Sequence, residues 1–370
     1  MERTIPTDNG PRVLEVAVVP GDGVGPEVVE ATLPLLAAAA SATGTEIKFA
    51  HLDWGGERYL RTGEAMPPDA VDAIRAFDSV LFGAVGRRDI PADVSVWGLI
   101  LPLRQELDLY VNLRPVRSWP GIDVAVRDVE GVDFVIVREN SEGEYAGIGG
   151  RSRVGMPEEV AVEVAIHTRQ GIARVSDYAF ALARRRRGLV TMATKSNASR
   201  YGYPLWDEVV AEVGARYPDV QVEYVFVDAL AARIIQRPRS LDVVLCSNLF
   251  GDILSDLAAP IQAGLGMAPS ANIRPEGGVP GVFEPVHGSA PDIAGQGVAN
   301  PVACILSGAL LLETAGCAGG GELLTRAVEL ALKNDRARTP DIGGSATTTE
   351  TAAAVEESLA HMIQQVQVAQ

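Results

Sequence analysis

Asn248-Leu-Phe-Gly-Asp-Ile-Leu-Ser-Asp256, coming straight after the apolar run Asp242-Val-Val-Leu-Cys-Ser247, decides the fold. The run reads as a buried strand, and Gly251 marks the neighbourhood of a helix start. On a helix, Asp252 and Asp256 project from one face, one turn from each other. Two carboxylates so close repel, which calls for positive charge between them. A hard divalent cation, Mg2+ or Mn2+, fits, because such ions take oxygen ligands and are held by few carboxylates plus water and substrate. The plain alternative is a solvated helix face with two acids, a common surface pattern. Ser247, Asn248 and Gly251 weigh toward a ligand, since they form a strand-end turn of the kind that binds small molecules in α/β proteins.

Working outward, the same grammar recurs: an apolar strand closed by a residue able to do chemistry. Residues 80–82 centre a strand that runs into Gly83-Ala-Val-Gly86. Residues 132–137 form another, followed by Arg138-Glu-Asn-Ser-Glu-Gly-Glu-Tyr145. Residues 188–194 lead to Lys195-Ser-Asn197, and residues 221–227 to Asp228. Such a series describes an α/β protein with its site along one edge of a sheet. The turn Pro20-Gly-Asp-Gly-Val-Gly-Pro26 spaces its glycines G-x-G-x-G, which is not the dinucleotide fingerprint. A tight turn without a ligand explains it as well. Pro34 predicts a kink in the helix that follows. Residues 95–109 have helical spacing and carry Trp97, Ile100, Leu101 and Arg104. Residues 159–168 alternate apolar and polar side chains, the pattern of an exposed β-arm. Four arginines at 184–187 close a helix, facing its C-terminus and water.

Beyond the acid pair, the Gly/Pro-rich residues 264–280 precede Phe283-Glu-Pro-Val-His-Gly-Ser-Ala-Pro-Asp-Ile-Ala-Gly295 and Val298-Ala-Asn-Pro301. Small residues there leave backbone N–H groups open to a flat or anionic ligand. Asp292 can accept bonds from a ribose diol. An empty surface loop is the simpler alternative.

A chain of 370 residues has room for two domains and a large core. With 47% hydrophobic and 22% charged residues it is globular rather than disordered. Its 32 basic and 48 acidic residues leave a charge of −16, which disfavours nucleic acid and anionic membrane surfaces. No apolar run reaches membrane-spanning length. The first ten residues show no secretory signal. Cys246, Cys304 and Cys317 are odd in number and lack metal-ligand spacing, so the expectation is a cytoplasmic protein with reduced thiols.

Assembled, the segments resemble the β-decarboxylating dehydrogenases, the family of isopropylmalate, isocitrate and tartrate/D-malate dehydrogenases. The resemblance runs from Gly21-Asp-Gly23 to Thr339-Pro-Asp-Ile-Gly-Gly344 and is most specific in residues 248–256 and 284–301. It implies an α/β, isopropylmalate dehydrogenase-like two-domain fold with a sheet flanked by helices, assembled as a homodimer with shared active sites. The larger, cofactor-binding domain would combine residues 1–109 with 263–370. The smaller substrate and dimerisation domain would hold residues 110–262, with a partner-clasping β-arm near 146–170.

The resemblance also implies residue roles. Arg104, Arg114 and Arg138 match substrate carboxylate binders, which suits the paired hydrogen bonds a guanidinium offers. Tyr145 matches the acid that protonates the enol carbon. Lys195 and Asp228 match residues supplied by the other subunit, the lysine at the substrate hydroxyl and the aspartate as a metal ligand beside Asp252 and Asp256. A lysine held beside a metal loses proton affinity, which suits base chemistry. Glu284, His287, Gly288, Ser289, Ala290, Asp292, Ile293 and Asn300 match cofactor contacts, and Asn197 joins them. Asp292-Ile293 matches the NAD form, since a carboxylate there repels a 2′-phosphate. NAD and Mg2+ or Mn2+ are the expected cofactors, with K+ as an optional further ion.

Substrate choice in the family lies on the helix before Arg104. Isocitrate enzymes carry a serine and an asparagine where this chain has Gly98 and Ile100. Isopropylmalate enzymes resemble E-x-x-L-L-x-x-R, and Trp97 replaces that acid while Ile100 and Leu101 keep the aliphatic pair. Together with Tyr110-Val-Asn-Leu-Arg-Pro-Val-Arg117, the pattern is most similar to tartrate/D-malate dehydrogenases. A tryptophan fills space that a larger γ-substituent would need. The expected activity is therefore NAD-dependent oxidative decarboxylation of a small 2-hydroxy diacid, D-malate to pyruvate and CO2 or tartrate. The alternatives are 3-isopropylmalate, a modified malate, and a non-catalytic regulatory binder. Pro102 departs from the family pattern and predicts disturbed helix geometry before Arg104.

Overall fold

Period-two alternation and short apolar runs produce twelve strands in the computed structural model, which describes residues 12–368, with side chains described through residue 365. The expectation drawn from the first ten residues lies outside that range. In chain order the strands are β1 (Arg12–Gly21), β2 (Thr45–His51), β3 (Ser79–Ala84), β4 (Val111–Arg117), β5 (Asp133–Glu139), β6 (Gly143–Ser152), β7 (Val160–Ile166), β8 (Leu189–Thr194), β9 (Gln221–Phe226), β10 (Val243–Cys246), β11 (Pro269–Ile273) and β12 (Gly281–Pro285). Ten of them form one sheet in the order β2-β1-β3-β12-β11-β4-β5-β10-β8-β9. β6 and β7 pair with each other as an antiparallel hairpin.

The sheet is parallel in both wings and antiparallel in its centre. β12, β11, β4 and β5 are joined by antiparallel pairs, and the strands outside them run parallel to their neighbours. Five strands come from the two chain ends and five from the middle of the chain. This mixed sheet, flanked by helices, is the α/β layer architecture expected of alternating strands and helices.

Alternation along the central strands sorts their side chains by face. Val111 and Leu113 of β4, Val135 and Val137 of β5, Ala271 and Ile273 of β11 and Phe283 of β12 all join one large apolar cluster that spans both wings. On the other face, the apolar side chains form two separate clusters. One gathers Val80, Phe82, Leu99, Leu103 and Val282; the other gathers Phe134, Ile136, Val244, Leu254 and Ala258. Between them lies a polar gap, and that gap positions the site.

Several local expectations are adjusted. The helix Gly25–Ser41 runs through Pro34 without ending there. Arg184, Arg186 and Arg187 do more than face a helix end and water, since they pair with Asp219, Asp133 and Asp242. Cys246, Cys304 and Cys317 are buried free thiols. Among the described residues no helix is long and apolar enough to cross a membrane.

Candidate active site

Asn112, Arg114, Arg138, Ser270, Asn272 and Glu284 fill the polar gap, and each is at least nine-tenths buried. Register explains their meeting: Asn112 stands opposite Arg138 on one side and Asn272 on the other, and Ser270 stands opposite Glu284. Buried polar groups must find partners, and here they find one another. Arg114 Nε donates to Asn112 Oδ1 at 2.7 Å, and Asn112 Nδ2 donates to Asn272 Oδ1 at 2.9 Å and Ser270 Oγ at 2.8 Å. Asn272 Nδ2 donates to Glu284 Oε1 at 2.8 Å. Arg104 Nη2, from the helix Leu101–Glu106, donates to the same oxygen at 2.8 Å. The network thus links Arg114 to Arg104 across the middle of the sheet.

The helix Asn248–Ala258 closes the gap from above. It begins at Asn248, three residues before the expected start near Gly251. Gly251 is needed inside it, because a Cβ there would lie 2.6 Å from Arg138 Cβ. Asn248 Oδ1 accepts from Arg138 Nε at 3.0 Å and Nη2 at 2.7 Å, and Arg138 Nη1 also pairs with Asp252. Arg114 Nη1 lies 3.3 Å from Asp252 Oδ1 and 3.7 Å from Asp256 Oδ1. Tyr145 O–H donates to Asp252 Oδ2 at 3.1 Å.

The positive charge demanded by the acid pair is therefore supplied, within one chain, by Arg114 and Arg138. Repulsion between the acids does not by itself require a metal ion, which corrects that step of the sequence argument. The donor set still suits one. Both carboxylates keep an exposed face, with side-chain exposures of 36% for Asp252 and 58% for Asp256, and both offer the oxygen donors that Mg2+ and Mn2+ prefer. Among the described residues of one chain, no three acidic, histidine or cysteine side chains gather as a metal site.

Environment separates the site's proton affinities. Burial pushes Asp252 up, but Arg138, Arg114 and Tyr145 outweigh it and hold the carboxyl below its ordinary value. Burial and the neighbouring Asp252 charge raise Asp256, with Arg114 opposing. Burial and the Asp252 charge also raise Tyr145, so its phenol keeps the proton at neutral pH. Burial, followed by the Arg114 cation, presses Arg138 downward.

Lys195 follows β8, and Asp228 sits in the first turn of the helix Val227–Gln236. Lys195 Nζ donates to Asp228 Oδ1 at 2.6 Å, and that bond holds the Asp228 carboxyl below its usual range. Among the described residues of one chain, no hydrogen bond or ion pair joins Lys195 or Asp228 to Asp252, Asp256 or Tyr145. Asn197 lies in an exposed turn beyond Lys195.

The segment containing residues 286–297 sits beside the glycine turn. Val24 N–H donates to Ser289 O at 2.8 Å, and a Cβ on Gly23, whose φ is +60°, would lie 2.0 Å from that oxygen. The Asp22 carboxylate accepts from the N–H groups of Gly56 and Gly86 at 3.0 Å. The glycine turn is thus scaffolding that props the segment. His287 Nδ1 lies 2.9 Å from Gly288 O, its Nε2 is buried without a partner, and burial lowers its pKa. Gly288 is exposed and Ala290 adopts φ +40°, a backbone setting that turns the chain outward at Asp292 and Ile293. Asp292 pairs with Arg88. The unpartnered His287 Nε2 and the open loop suit a cofactor that brings hydrogen-bonding groups.

Two of the expected cofactor residues are held by protein partners. Glu284 is occupied by Arg104 and Asn272. Asn300 Oδ1 accepts from Val302 N–H at 3.0 Å at the start of the helix Val302–Thr314, and its Nδ2 donates to Asp341. On the substrate side, Ile100 packs against an apolar cluster and Leu101 is buried. Trp97 is 44% exposed and lies against Gly147 of β6. Pro102 is accommodated by the π-helical turn Val96–Ile100 and opens the helix that carries Arg104. Asn112, Asn272 and Ser255, whose hydroxyl accepts from Arg114 Nη1, were not singled out from sequence, and Asn248 was named there only as part of the strand-end turn. For Asn112 the signal was available: Asn112 and Arg114 alternate on one strand and so share a face.

A family model described as isocitrate/isopropylmalate dehydrogenase matches residues 15–357. The chain is 46% identical over 353 residues to a probable tartrate dehydrogenase/decarboxylase of Agrobacterium vitis, covering 94% of this chain and 98% of the relative. It is 45% identical to a 3-isopropylmalate dehydrogenase of Thermobifida fusca (92% and 96% covered) and 42% identical to a decarboxylating D-malate dehydrogenase of Escherichia coli (93% and 98% covered). Among solved structures, isocitrate dehydrogenase from Methylococcus capsulatus superposes with a TM-score of 0.86 at 36% identity, covering 94% of this chain and 99% of that one.

Proposed function

The chain belongs to the isocitrate/isopropylmalate dehydrogenase family, and from that premise we propose that it oxidises and decarboxylates a small 2-hydroxy diacid, D-malate or tartrate, using NAD and Mg2+ or Mn2+. It is an oxidoreductase acting on a CH–OH group with decarboxylation. The observation that carries the substrate class is the convergence of Arg104, Arg114 and Arg138 on one face, opposite Asp252 and Tyr145. Three guanidinium groups aimed into one gap suit a ligand with two carboxylates. Arg104 Nε is buried without a partner, a donor ready for such a ligand.

Each side chain then has a task. The arginines grip and orient the carboxylates. Lys195 of a second subunit, in its neutral amine form, takes the hydroxyl proton as the C2 hydrogen leaves as hydride. The β-carboxylate departs as CO2, and its bonding electrons pass to the carbonyl to give an enolate. Tyr145, still protonated because burial raises its pKa, delivers its proton to the enolate carbon. Asp252, Asp256 and a second subunit's Asp228 would hold a cation that supplies Lewis acidity, and a bound nicotinamide would supply the hydride acceptor. Asp292 favours NAD over NADP by repelling a 2′-phosphate, with Arg88 offsetting part of its charge.

A homodimer completes this arrangement, with residues 1–109 and 263–370 as one domain and 110–262 as the other. The exposed apolar side chains Ile148, Val160, Val162 and Val164 on the β6–β7 hairpin, and Ile253 between the two acids, support a covered surface there. A second reading, 3-isopropylmalate as substrate, is favoured by the Thermobifida fusca relative and by the aliphatic Ile100 and Leu101.

An NADH-release screen with Mn2+ across D-malate, the tartrates, 3-isopropylmalate and isocitrate tests the proposal. The expected result is fastest turnover on D-malate or a tartrate, abolished by chelation. Turnover on 3-isopropylmalate exceeding that on D-malate by a wide margin would overturn the substrate. No NADH from any of them would revive a non-catalytic binder.

A further inference from the structure

The segment that carries Arg104 and the strand that carries Tyr145 touch at two points. Gln105 Nε2 donates to the Tyr145 carbonyl at 3.0 Å. At the π-helical turn of the same segment, the benzo edge of Trp97 lies on Gly147. A Cβ at position 147 would stand 2.8 Å from Trp97 Cζ3 and 3.0 Å from Cη2. Packed atoms do not approach so closely, so a side chain at position 147 would shift the indole from this seat. Gly147 follows Tyr145 by two residues on β6, and Tyr145 reaches Asp252. The indole therefore spans from the segment of the substrate arginine to the strand of the proposed proton donor.

We propose that Gly147 is a specificity-determining residue: its missing side chain seats the Trp97 indole across β6, and the seated indole closes the pocket to bulky γ-substituents. This rests on the reading of a small 2-hydroxy diacid as substrate. A larger diacid must lift the indole off the strand that holds Tyr145, so poor substrates lose kcat as well as affinity. The pocket wall is thus a pair of residues, and replacing Trp97 alone does not restore the wall's other half.

Gly147 has φ +72°, so any substitution also strains the backbone. A double-mutant cycle separates the two effects, with kcat and KM measured on D-malate and 3-isopropylmalate and folding followed by thermal melting. Trp97→Leu is expected to raise the isopropylmalate-to-malate ratio of kcat/KM by about tenfold or more. Gly147→Ala is expected to lower kcat/KM on D-malate about tenfold beside Trp97, and less than about threefold beside Leu at position 97. Should Gly147→Ala fail to fold, Gly147→Asn accepts the left-handed backbone and serves the same comparison. An equal loss from the Gly147 substitution in both backgrounds, or an unchanged ratio with Trp97→Leu, overturns the proposal. If the wild type prefers 3-isopropylmalate, the substrate reading fails, while the cycle on that substrate still reports whether Gly147 acts through the indole.

Discussion

Arg138 shows what one buried cation needs from its surroundings. It is 2% exposed, and burial together with Arg114 disfavours its charge. Asn248 answers with one oxygen that accepts two guanidinium N–H groups. Asn248→Ala removes that acceptor, and stranding buried donors costs about 1–3 kcal/mol. The expected outcome is a lower melting temperature and a raised KM for the diacid, with NAD affinity retained in a binding titration. An unchanged KM would show that Arg138 is not positioned through Asn248. Asn248 stood inside the motif from which the fold was read, yet its role was not legible there. Its partner lies on another strand, and side-chain pairing across the sheet leaves no local pattern. The same limit explains why the acid pair pointed to a metal before it pointed to Arg114. Spacing on one helix reveals repulsion but not which distant residue relieves it.

Strands and helices were more legible, because periodicity is local. The buried strand Val243–Cys246 follows from its apolar run and β7 from alternation, whereas β6, Gly143-Glu-Tyr-Ala-Gly-Ile-Gly-Gly-Arg-Ser152, shows neither and is held as a strand by pairing with β7. β11 was hidden: Pro269-Ser-Ala-Asn-Ile273 has a proline and two polar residues, which give little strand signal. Ser270 and Asn272 are buried there because Asn112, paired across the ladder, satisfies both. At the end of β5, Glu139 is 1% exposed and accepts from Ser141 and Glu142 N–H groups and from Ser141 Oγ. Burial nonetheless raises its pKa above the ordinary carboxylate value, the hydrogen bonds opposing. An acid with a raised folded-state pKa contributes fully below its unfolded value, and that contribution is lost as pH rises through the folded one. Glu139→Gln does not ionise. Its melting-temperature deficit relative to wild type is expected to shrink between pH about 4 and about 7. A deficit that grows over that interval would mean the carboxylate is stabilised where it sits.

At the scale of the whole molecule, the sheet brings the two chain ends and the chain's middle into one surface. The polar gap lies where they meet, between β12 and β11 on one side and β4 and β5 on the other. One chain assembles the arginines, Tyr145, Asp252 and Asp256, but holds Lys195 and Asp228 as a separate pair. That separation was expected from the family resemblance and from nothing in the spacing of the residues. The proposed function has a direct consequence: under it, Lys195 and Asp228 would come to the site from a second subunit. Tyr145→Phe and Lys195→Ala chains, each inactive as a homodimer, can be unfolded together and refolded as a mixture, and NADH release then measured against wild type. Random pairing leaves half the dimers mixed with one intact site each, so about a quarter of wild-type turnover is expected to return. A mixture as inactive as its two components would place Tyr145 and Lys195 in sites that do not share subunits and would contradict the account.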